Sequence, residues 1–130
     1  MTIELNHTIV AARDKHAAAE FFADILGLEV KAPYGPFIPV ETSNGVLLDF
    51  WDSHDDPIPP QHYAFLVSES EFDEIFERIQ QAGIPHYADP GHHQVGQINH
   101  LDGGRGAYFA DPNGHNLEII TRPYGSGRGS

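Results

Sequence analysis

The chain has 130 residues, of which 40% are hydrophobic and 20% charged, a composition typical of a soluble globular protein. Its length predicts one domain, or two small halves that share a core. With 7 basic and 19 acidic residues, the formal net charge of −12 excludes nucleic acid and an anionic membrane as favoured partners and leaves a small molecule. The absence of cysteine excludes disulfides, thiolate metal sites and cysteine nucleophiles. No apolar run approaches the roughly 20 residues that span a bilayer, and no secretory signal pattern opens the chain, so we expect a cytoplasmic protein without a membrane partner.

The first half reads as a strand, a helix and three further short strands. Residues 3–10 are rich in β-branched side chains and predict a strand. A helix is expected between Asp14, a favourable N-cap, and Gly27, which is typical of a helix end, because apolar residues recur at helical spacing between them. Proline, glycine and an Asn-Gly turn signal then separate predicted strands near residues 28–32, 36–42 and 45–52.

The second half repeats this order after a proline-rich linker over residues 53–60. The apolar run 61–67 predicts a strand, and a helix is expected between Ser70 as its cap and Gly83 as its end. Further strands are predicted near residues 84–88, 105–111 and 116–122. The glycine- and serine-rich residues 124–130 predict a flexible tail.

Each half is therefore a βαβββ unit, and the predicted fold class is α+β. Neither unit can bury both faces of its sheet alone, so we expect two curled mixed sheets to pair around a concave pocket. The predicted organisation is a single domain over residues 1–123, with module 1 at residues 1–52 and module 2 at residues 61–123. Such sheets leave apolar faces that a small chain covers poorly, which favours a homodimer, with the modules paired either within one chain or across two.

The repeat also places histidines and carboxylates at matching positions. His7 and His62 open the first strand of each half, and Asp49 and Glu118 lie within apolar runs later in each half. A lone histidine in a strand is usually structural, and a carboxylate on an edge strand can simply face water. However, burying a charged group inside an apolar run costs free energy unless the group has a partner. We therefore expect a metal site of two histidines and one carboxylate, a ligand set that suits Fe(II). The shorter Asp49 is at least as well suited to a water-linked or substrate-facing role.

A long insertion in the second half, around residues 89–104, gives the glycine- and histidine-rich stretch 91–106. Loops of this length in compact domains are usually functional or disordered, so its side chains either close over a substrate or form a solvated loop. His92 and His93 are candidates for such closure, and His100 is the candidate to take a proton from a phenolic substrate. The predicted substrate-binding residues are Asp49, Trp51, Phe37, Asn99, Arg105 and Tyr108. For Phe37 and Trp51 the alternative is core packing, and strand alternation directs only one of Tyr108 and Phe109 toward the pocket.

In these features the chain resembles the vicinal oxygen chelate superfamily, which includes glyoxalases, bleomycin resistance proteins and extradiol dioxygenases. The resemblance covers residues 3–122 and is carried by the segments LNHTIV, FFADILGLEV, HYAFLV and GAYFADPNGHNLEIIT. It implies paired βαβββ modules, dimerisation, a divalent metal and a substrate that chelates this metal through adjacent oxygens. It also implies metal-ligand roles for His7, His62 and Glu118. Glyoxalase-like members usually carry a glutamate ligand at the position of Asp49, and the aspartate favours a site of three ligands.

Three functions are compatible with this site. The first is an Fe(II)-dependent oxygenase of the extradiol dioxygenase type that acts on an aromatic diol or quinol. The resemblance to small superfamily members associated with aromatic natural products implies this function. Mn(II), Ni(II) and Zn(II) are the alternative metals. The second is a glyoxalase-type lyase or isomerase, or a thiol transferase, that uses the metal as a Lewis acid. A transferase acting on a phosphonate should need several cations, and only Arg105 is well placed. The third is a non-catalytic drug-binding resistance protein, which has no need of three metal ligands.

Overall fold

The computed structural model describes residues 2–127 and divides the chain into two compact units. The first unit ends at Pro59 and the second begins at Pro60, inside the predicted linker. Residue 1 and residues 128–130, the last part of the predicted flexible tail, lie outside the described residues. Within the described part of the chain, no helix is long and apolar enough to cross a membrane.

The first unit contains a three-stranded sheet and one helix. In chain order its elements are β1 (His7–Ala12), α1 (Lys15–Leu26), β2 (Ile38–Glu41) and β3 (Leu47–Asp52). β3 lies in the middle of the sheet, parallel to β1 and antiparallel to β2. α1 packs against this sheet, so the unit is one layer of helix on one mixed sheet.

α1 begins and ends at the residues that the sequence predicts. The Asp14 carboxylate accepts hydrogen bonds from two backbone N–H groups of the first turn, at 3.0 and 3.2 Å. Gly27 ends the helix in the left-handed region, at φ 73°, which glycine adopts without the steric cost of a Cβ. On the buried face of the helix, the ring of Phe22 meets the ring of Phe50 edge to face, with centroids 4.8 Å apart. The sequence pattern and the packing therefore agree on this helix.

The second unit repeats the arrangement of the first. Its elements are β4 (His62–Leu66), α2 (Glu69–Gln81), β5 (Gly106–Ala110) and β6 (Asn116–Ile120), with a single 3₁₀ turn at Leu101–Gly103 before β5. β6 lies in the middle of the sheet, parallel to β4 and antiparallel to β5. Both units thus combine a helix with a mixed sheet, and the predicted α+β class is confirmed.

The cap of α2 differs from the sequence prediction. The Ser68 hydroxyl accepts a hydrogen bond from the backbone N–H of Glu71 at 3.1 Å, and the Glu71 carboxylate accepts one from the Ser68 N–H at 2.8 Å. This reciprocal pair, a capping box, satisfies two N–H groups at the helix start. The prediction of Ser70 as the cap is wrong, because the box at Ser68 places Ser70 inside the first helical turn.

Each unit has one ladder strand fewer than predicted. The segments near residues 28–32 and 84–88 make only isolated bridges, which join Val30 to Val40 and Tyr87 to Val95 and Tyr108. Pro85 has no N–H to donate, which interrupts a ladder in the second segment. The first strand is also shorter at its start than predicted, since it begins at His7 rather than at residue 3.

The capping box gives a stability prediction. Ser68→Ala should lower the free energy of unfolding by about 1 kcal/mol, because the N–H of Glu71 loses its acceptor. Ser70→Ala is the matched control and should change this free energy by less than about 0.5 kcal/mol, as for most exposed substitutions. Urea unfolding followed by circular dichroism measures both, and equal losses in the two variants would contradict the assignment of the cap.

Candidate metal centre

The residues that match in the sequence repeat occupy equivalent positions in the two sheets. In the first unit, Ile9 on β1 lies opposite Asp49 on β3, and His7 is two residues before Ile9. In the second unit, Glu118 on β6 lies opposite Ala64 on β4, and His62 is two residues before Ala64. Because residues two apart on a strand share a face, each histidine lies on the same face of its sheet as the carboxylate of its own unit.

Glu118 is fully buried in the second unit, with 0% of its surface exposed. Its Oε1 lies 3.1 Å from Nε2 of His62, and its Oε2 accepts a hydrogen bond from the hydroxyl of Tyr124. Oε2 therefore has a hydrogen-bond donor, whereas Oε1 faces a ring nitrogen whose role depends on which nitrogen carries the proton. The backbone that carries this side chain is the central strand β6, which has a ladder on each side and leaves the carboxylate little freedom to move.

His62 presents its Nε2 atom to Glu118 in a defined tautomer. Its Nδ1 lies 2.9 Å from the backbone carbonyl oxygen of Asn116, and because a carbonyl oxygen only accepts, Nδ1 must donate. In the neutral ring, Nε2 then carries a lone pair that faces a carboxylate oxygen, and two acceptors in contact repel each other. A proton or a divalent metal ion satisfies both, and a hydrogen bond from the second ring nitrogen to a carbonyl is usual for a metal-ligating histidine. The residues present therefore fit a divalent metal.

His7, the other predicted ligand, opens β1 in the first unit and is exposed. Its Nδ1 lies 2.8 Å from the side-chain oxygen of Asn6, an arrangement in which the neutral ring carries its lone pair on Nε2, as in His62. Within residues 2–127, however, no group of three or more histidine and carboxylate side chains could hold a metal ion. The structure thus brings together two of the three predicted ligands, His62 and Glu118.

The other predicted residues of the first unit lie near the matching face of its sheet. Asp49 is half-buried on β3, and Trp51, two residues further along the same strand, is 37% exposed. Phe37 precedes β2 and is half-buried, and its backbone N–H donates to the carbonyl of Tyr34 at 3.0 Å. By alternation, Asp49 and Trp51 share the His7 side of the sheet.

Tyr108 and Tyr124 place two hydroxyl groups beside Glu118. Tyr108 lies opposite Glu118 in the ladder of β5 and β6 and is 5% exposed. Its hydroxyl is 2.8 Å from that of Tyr124, and its ring stacks against the His62 ring with centroids 6.0 Å apart. Burial raises the pKa of both tyrosine hydroxyls, and the hydrogen bond to Glu118 raises the pKa of Tyr124 further. Both are therefore neutral donors at neutral pH.

Tyr124 is the residue that the sequence analysis missed, since it assigned residue 124 to a flexible tail. The composition of that segment predicts mobility, and only one feature opposes it: Tyr124 is an aromatic residue among glycines and serines, a few positions after the last strand. An apolar ring next to a strand often packs back onto its sheet, and this signal could have identified it.

Arg105, a predicted substrate contact, is bound to α2. Its Nε donates to the Glu69 carboxylate and its Nη1 to the Asp73 carboxylate, both at 2.8 Å. The guanidinium also lies 4.4 Å from the centroid of the Phe72 ring, an arrangement that favours a cation–π contact. The hydrogen bond to Asp73, followed by that to Glu69, raises the pKa of Arg105. The Arg105 side chain links the start of β5 to α2. A substrate could therefore bind only the N–H groups of the guanidinium that these contacts do not use.

Asn99 and His100 occupy the loop before β5. The Asn99 side-chain amide donates to the carbonyl of Ala88 at 2.9 Å, and its backbone forms a bridge with Gly106. Asn99 therefore holds the loop in place. His100 is exposed and directly precedes the 3₁₀ turn Leu101–Gly103.

The preceding part of the same loop is held by Asp89 and His92. The Asp89 carboxylate accepts backbone hydrogen bonds from His93 and, at 2.7 Å, from Gln94, and the bond from Gln94 is the largest cause of its lowered pKa. The His92 ring stacks on Tyr87 with centroids 4.1 Å apart, and its Nε2 is 2.8 Å from the side-chain oxygen of Asn116. This first part of the loop thus lies beside Asn116, whose carbonyl orients His62.

Several known proteins are similar to this chain. Oxidase ChaP-H2, whose structure is known, is 70% identical in sequence to this chain. The two structures superpose with a TM-score of 0.95, over 98% of this chain and 99% of ChaP-H2. The glutathione transferase FosA of Serratia marcescens is 29% identical over 124 residues, which cover 92% of this chain and 81% of FosA. The fosfomycin resistance protein FosX of Listeria monocytogenes, whose structure contains Mn(II) and sulfate, shares the fold at 19% identity and a TM-score of 0.72, over 98% of this chain and 96% of FosX.

A family match covers most of the sequence. Residues 4–119 match the Glyoxalase/Bleomycin resistance protein/Dioxygenase superfamily, and this range includes His7, His62 and Glu118. The resemblance seen in the sequence motifs is confirmed, and the chain belongs to this superfamily.

Proposed function

We propose that the chain is a metal-dependent oxygenase, with Fe(II) as its metal and an aromatic diol or quinol as its substrate. The observation that carries the proposal is the contact between Nε2 of His62 and Oε1 of the buried Glu118, two metal-ligand atoms 3.1 Å apart. With His7, the set becomes two histidines and one carboxylate, which leaves coordination positions open and is typical of Fe(II) oxygenases. The 70% identity to a protein named as an oxidase supports the same class of reaction.

The residues of the chain have separate tasks in this proposal. When bound, Fe(II) supplies open coordination positions and redox chemistry. The carbonyl of Asn116 keeps the Nε2 lone pair of His62 available, and the burial of Glu118 keeps water from competing for its carboxylate. The oxygen of the Tyr108 hydroxyl can accept a hydrogen bond from a substrate hydroxyl. His100, which is exposed at the start of the 3₁₀ turn, is the proposed acceptor of a phenolic proton.

The remaining predicted contacts complete the proposal. Asp49, Trp51 and Phe37 of the first unit are proposed to form a partly polar, partly aromatic wall for the substrate. Their exposure supports this, since Trp51 is 37% exposed although it is a large apolar residue on a strand. The third metal ligand, His7, is proposed to come from a second copy of the chain, in a homodimer.

The similarity to FosA supports one alternative, a thiol transferase that uses the metal as a Lewis acid. A phosphonate substrate of the fosfomycin type carries negative charge and would need cationic side chains to bind it. Arg105 is already paired with Glu69 and Asp73 of α2. The chain as a whole has 7 basic against 19 acidic residues, which disfavours an anionic substrate. We therefore favour the oxygenase.

The metal site gives the first functional prediction. His62→Ala and Glu118→Ala should each lower the metal content of the purified protein, because each removes one of the two atoms in contact. Added Fe(II) or Mn(II) should raise the melting temperature of the wild type more than that of either variant, since a ligand that binds only the folded state stabilises it. His93→Ala is the control, because the side chain of His93 is 87% exposed on the loop. Metal content unchanged in His62→Ala would reject the site.

Mixing of subunits tests the origin of the third ligand. His7→Ala and Glu118→Ala chains carrying different affinity tags should each bind little metal alone, whereas the purified heterodimer should recover one metal site. We expect this recovery because the heterodimer can combine His7 of one chain with His62 and Glu118 of the other, whereas each variant alone lacks one of the proposed ligands. Metal content and sedimentation velocity measure the result. A heterodimer without metal, or a chain that is purely monomeric at micromolar concentration, would place the complete site within one chain instead.

The choice of metal separates the oxygenase from the Lewis-acid alternative. Fe(II) added to metal-free protein should restore oxygen consumption with an aromatic diol, whereas Zn(II) should occupy the site without turnover, because zinc has no redox chemistry. An oxygen electrode together with chromatography of the diol measures both reactants. Turnover with Zn(II) under nitrogen as fast as with Fe(II) under air would favour the thiol transferase or lyase.

A further inference from the structure

Tyr124 brings a hydroxyl group to the second oxygen of Glu118. The residue follows β6, and its hydroxyl donates to Oε2 of Glu118, while Oε1 faces His62. Since Glu118 is fully buried, solvent does not replace this donor. The two oxygens of the carboxylate are therefore distinguished by their partners: one lies beside a histidine nitrogen and the other is held by a phenol.

The hydrogen bonds around Tyr124 have a fixed direction. A tyrosine hydroxyl has one proton, and the Tyr124 proton is used on the carboxylate, which in its ionised form only accepts. The Tyr108 hydroxyl, 2.8 Å away, must then donate to the oxygen of Tyr124. The order is Tyr108 to Tyr124 to Glu118, and the last bond is strengthened by the negative charge of its acceptor.

The segment that carries Tyr124 is anchored on the 3₁₀ turn. The Asp102 carboxylate accepts hydrogen bonds from the backbone N–H groups of Gly125 at 3.0 Å and Gly127 at 3.2 Å. A Cβ at position 127 would lie 2.9 Å from the Cα of Asp102, so the close approach requires glycine there. These contacts are independent of Glu118, and they hold the backbone of the turn directly after Tyr124.

We propose that Tyr124 is a positioning residue that holds Oε2 of Glu118 away from the metal, so that Glu118 binds the metal through Oε1 alone. This inference rests on the proposed function, because it takes Glu118 to be a metal ligand. A carboxylate that binds through one oxygen occupies one coordination position rather than two. The additional open position is then available to the second oxygen of a chelating substrate.

Co(II) binding to metal-free protein tests the proposal without any assay of turnover. Tyr124→Phe removes one hydroxyl and keeps the ring, and it should weaken Co(II) binding by about 10- to 100-fold, the usual effect of losing a partner of a metal ligand. The visible absorption of bound Co(II) should also weaken, because the released Oε2 can coordinate and high-spin Co(II) absorbs less as its coordination number rises. Tyr34→Phe makes the same change at a residue that is 78% exposed in the first unit, and it should match the wild type.

Asp102→Ala provides a second variant in which Tyr124 is intact. It removes the acceptor of two backbone N–H groups, releases the segment, and should shift Co(II) affinity and absorption in the same direction as Tyr124→Phe. Far-UV circular dichroism confirms that the variants are folded. The proposal is overturned if Tyr124→Phe binds Co(II) as Tyr34→Phe does with the same spectrum, or if it binds Co(II) more tightly, which would mean that Tyr124 obstructs the metal.

Glu118→Ala distinguishes failure of this inference from failure of the proposed function. If Glu118→Ala loses Co(II) while Tyr124→Phe behaves like Tyr34→Phe, Glu118 is a ligand and only the role of Tyr124 is rejected. If Glu118→Ala binds Co(II) as the wild type does, the metal site itself is rejected, and with it the positioning role.

Discussion

A buried carboxylate is the constraint on which the second unit depends. Moving Glu118 out of water is costly unless its charge is paired and its oxygens accept hydrogen bonds. The Tyr124 hydroxyl, with Tyr108 of β5 behind it, donates to one oxygen of the carboxylate, and β4 places Nε2 of His62 3.1 Å from the other. The same arrangement leaves a histidine lone pair facing a carboxylate oxygen, which is stable with a shared cation. A proton or a divalent metal ion between Nε2 of His62 and Oε1 of Glu118 would satisfy both atoms.

The two units repeat one architecture with different chemistry. Asp49 occupies the register position of Glu118, but the residue opposite it on β2 is Pro39, whereas the residue opposite Glu118 on β5 is Tyr108. Proline offers no hydroxyl, and the first unit accordingly leaves Asp49 half-buried rather than enclosed. The duplicated sequence therefore places a histidine and a carboxylate at matching positions in both units, but of these two carboxylates only Glu118 is fully buried and hydrogen-bonded to a tyrosine hydroxyl. This asymmetry favours a site of three ligands over one of four.

Local sequence signals predicted the helices well and the strand count less well. Asp14 and Gly27 limit α1 through contacts within a few residues, and such contacts can be read from a sequence. Ser68 and Ser70 both offer a hydroxyl near the start of α2, and the choice between them depends on Glu71 completing a reciprocal bond. The segments near residues 28–32 and 84–88 have strand-like composition but make only isolated bridges, because a ladder requires a neighbour with a continuous set of donors and acceptors.

By itself, the sequence determined the duplication, the α+β class and the superfamily, because a repeated pattern of apolar residues and histidines is visible without coordinates. The same pattern predicts His7, His62 and Glu118 as metal ligands. Only the tertiary structure decided the surroundings of these side chains. It turned Arg105 toward the acidic residues of α2, fixed the tautomer of His62 through the Asn116 carbonyl, and placed Tyr124 on Glu118. Each of these contacts depends on where another strand or loop lies in space. Composition favours mobility for a glycine- and serine-rich segment, whereas Glu118 and the Asp102 carboxylate form hydrogen bonds to Tyr124, Gly125 and Gly127.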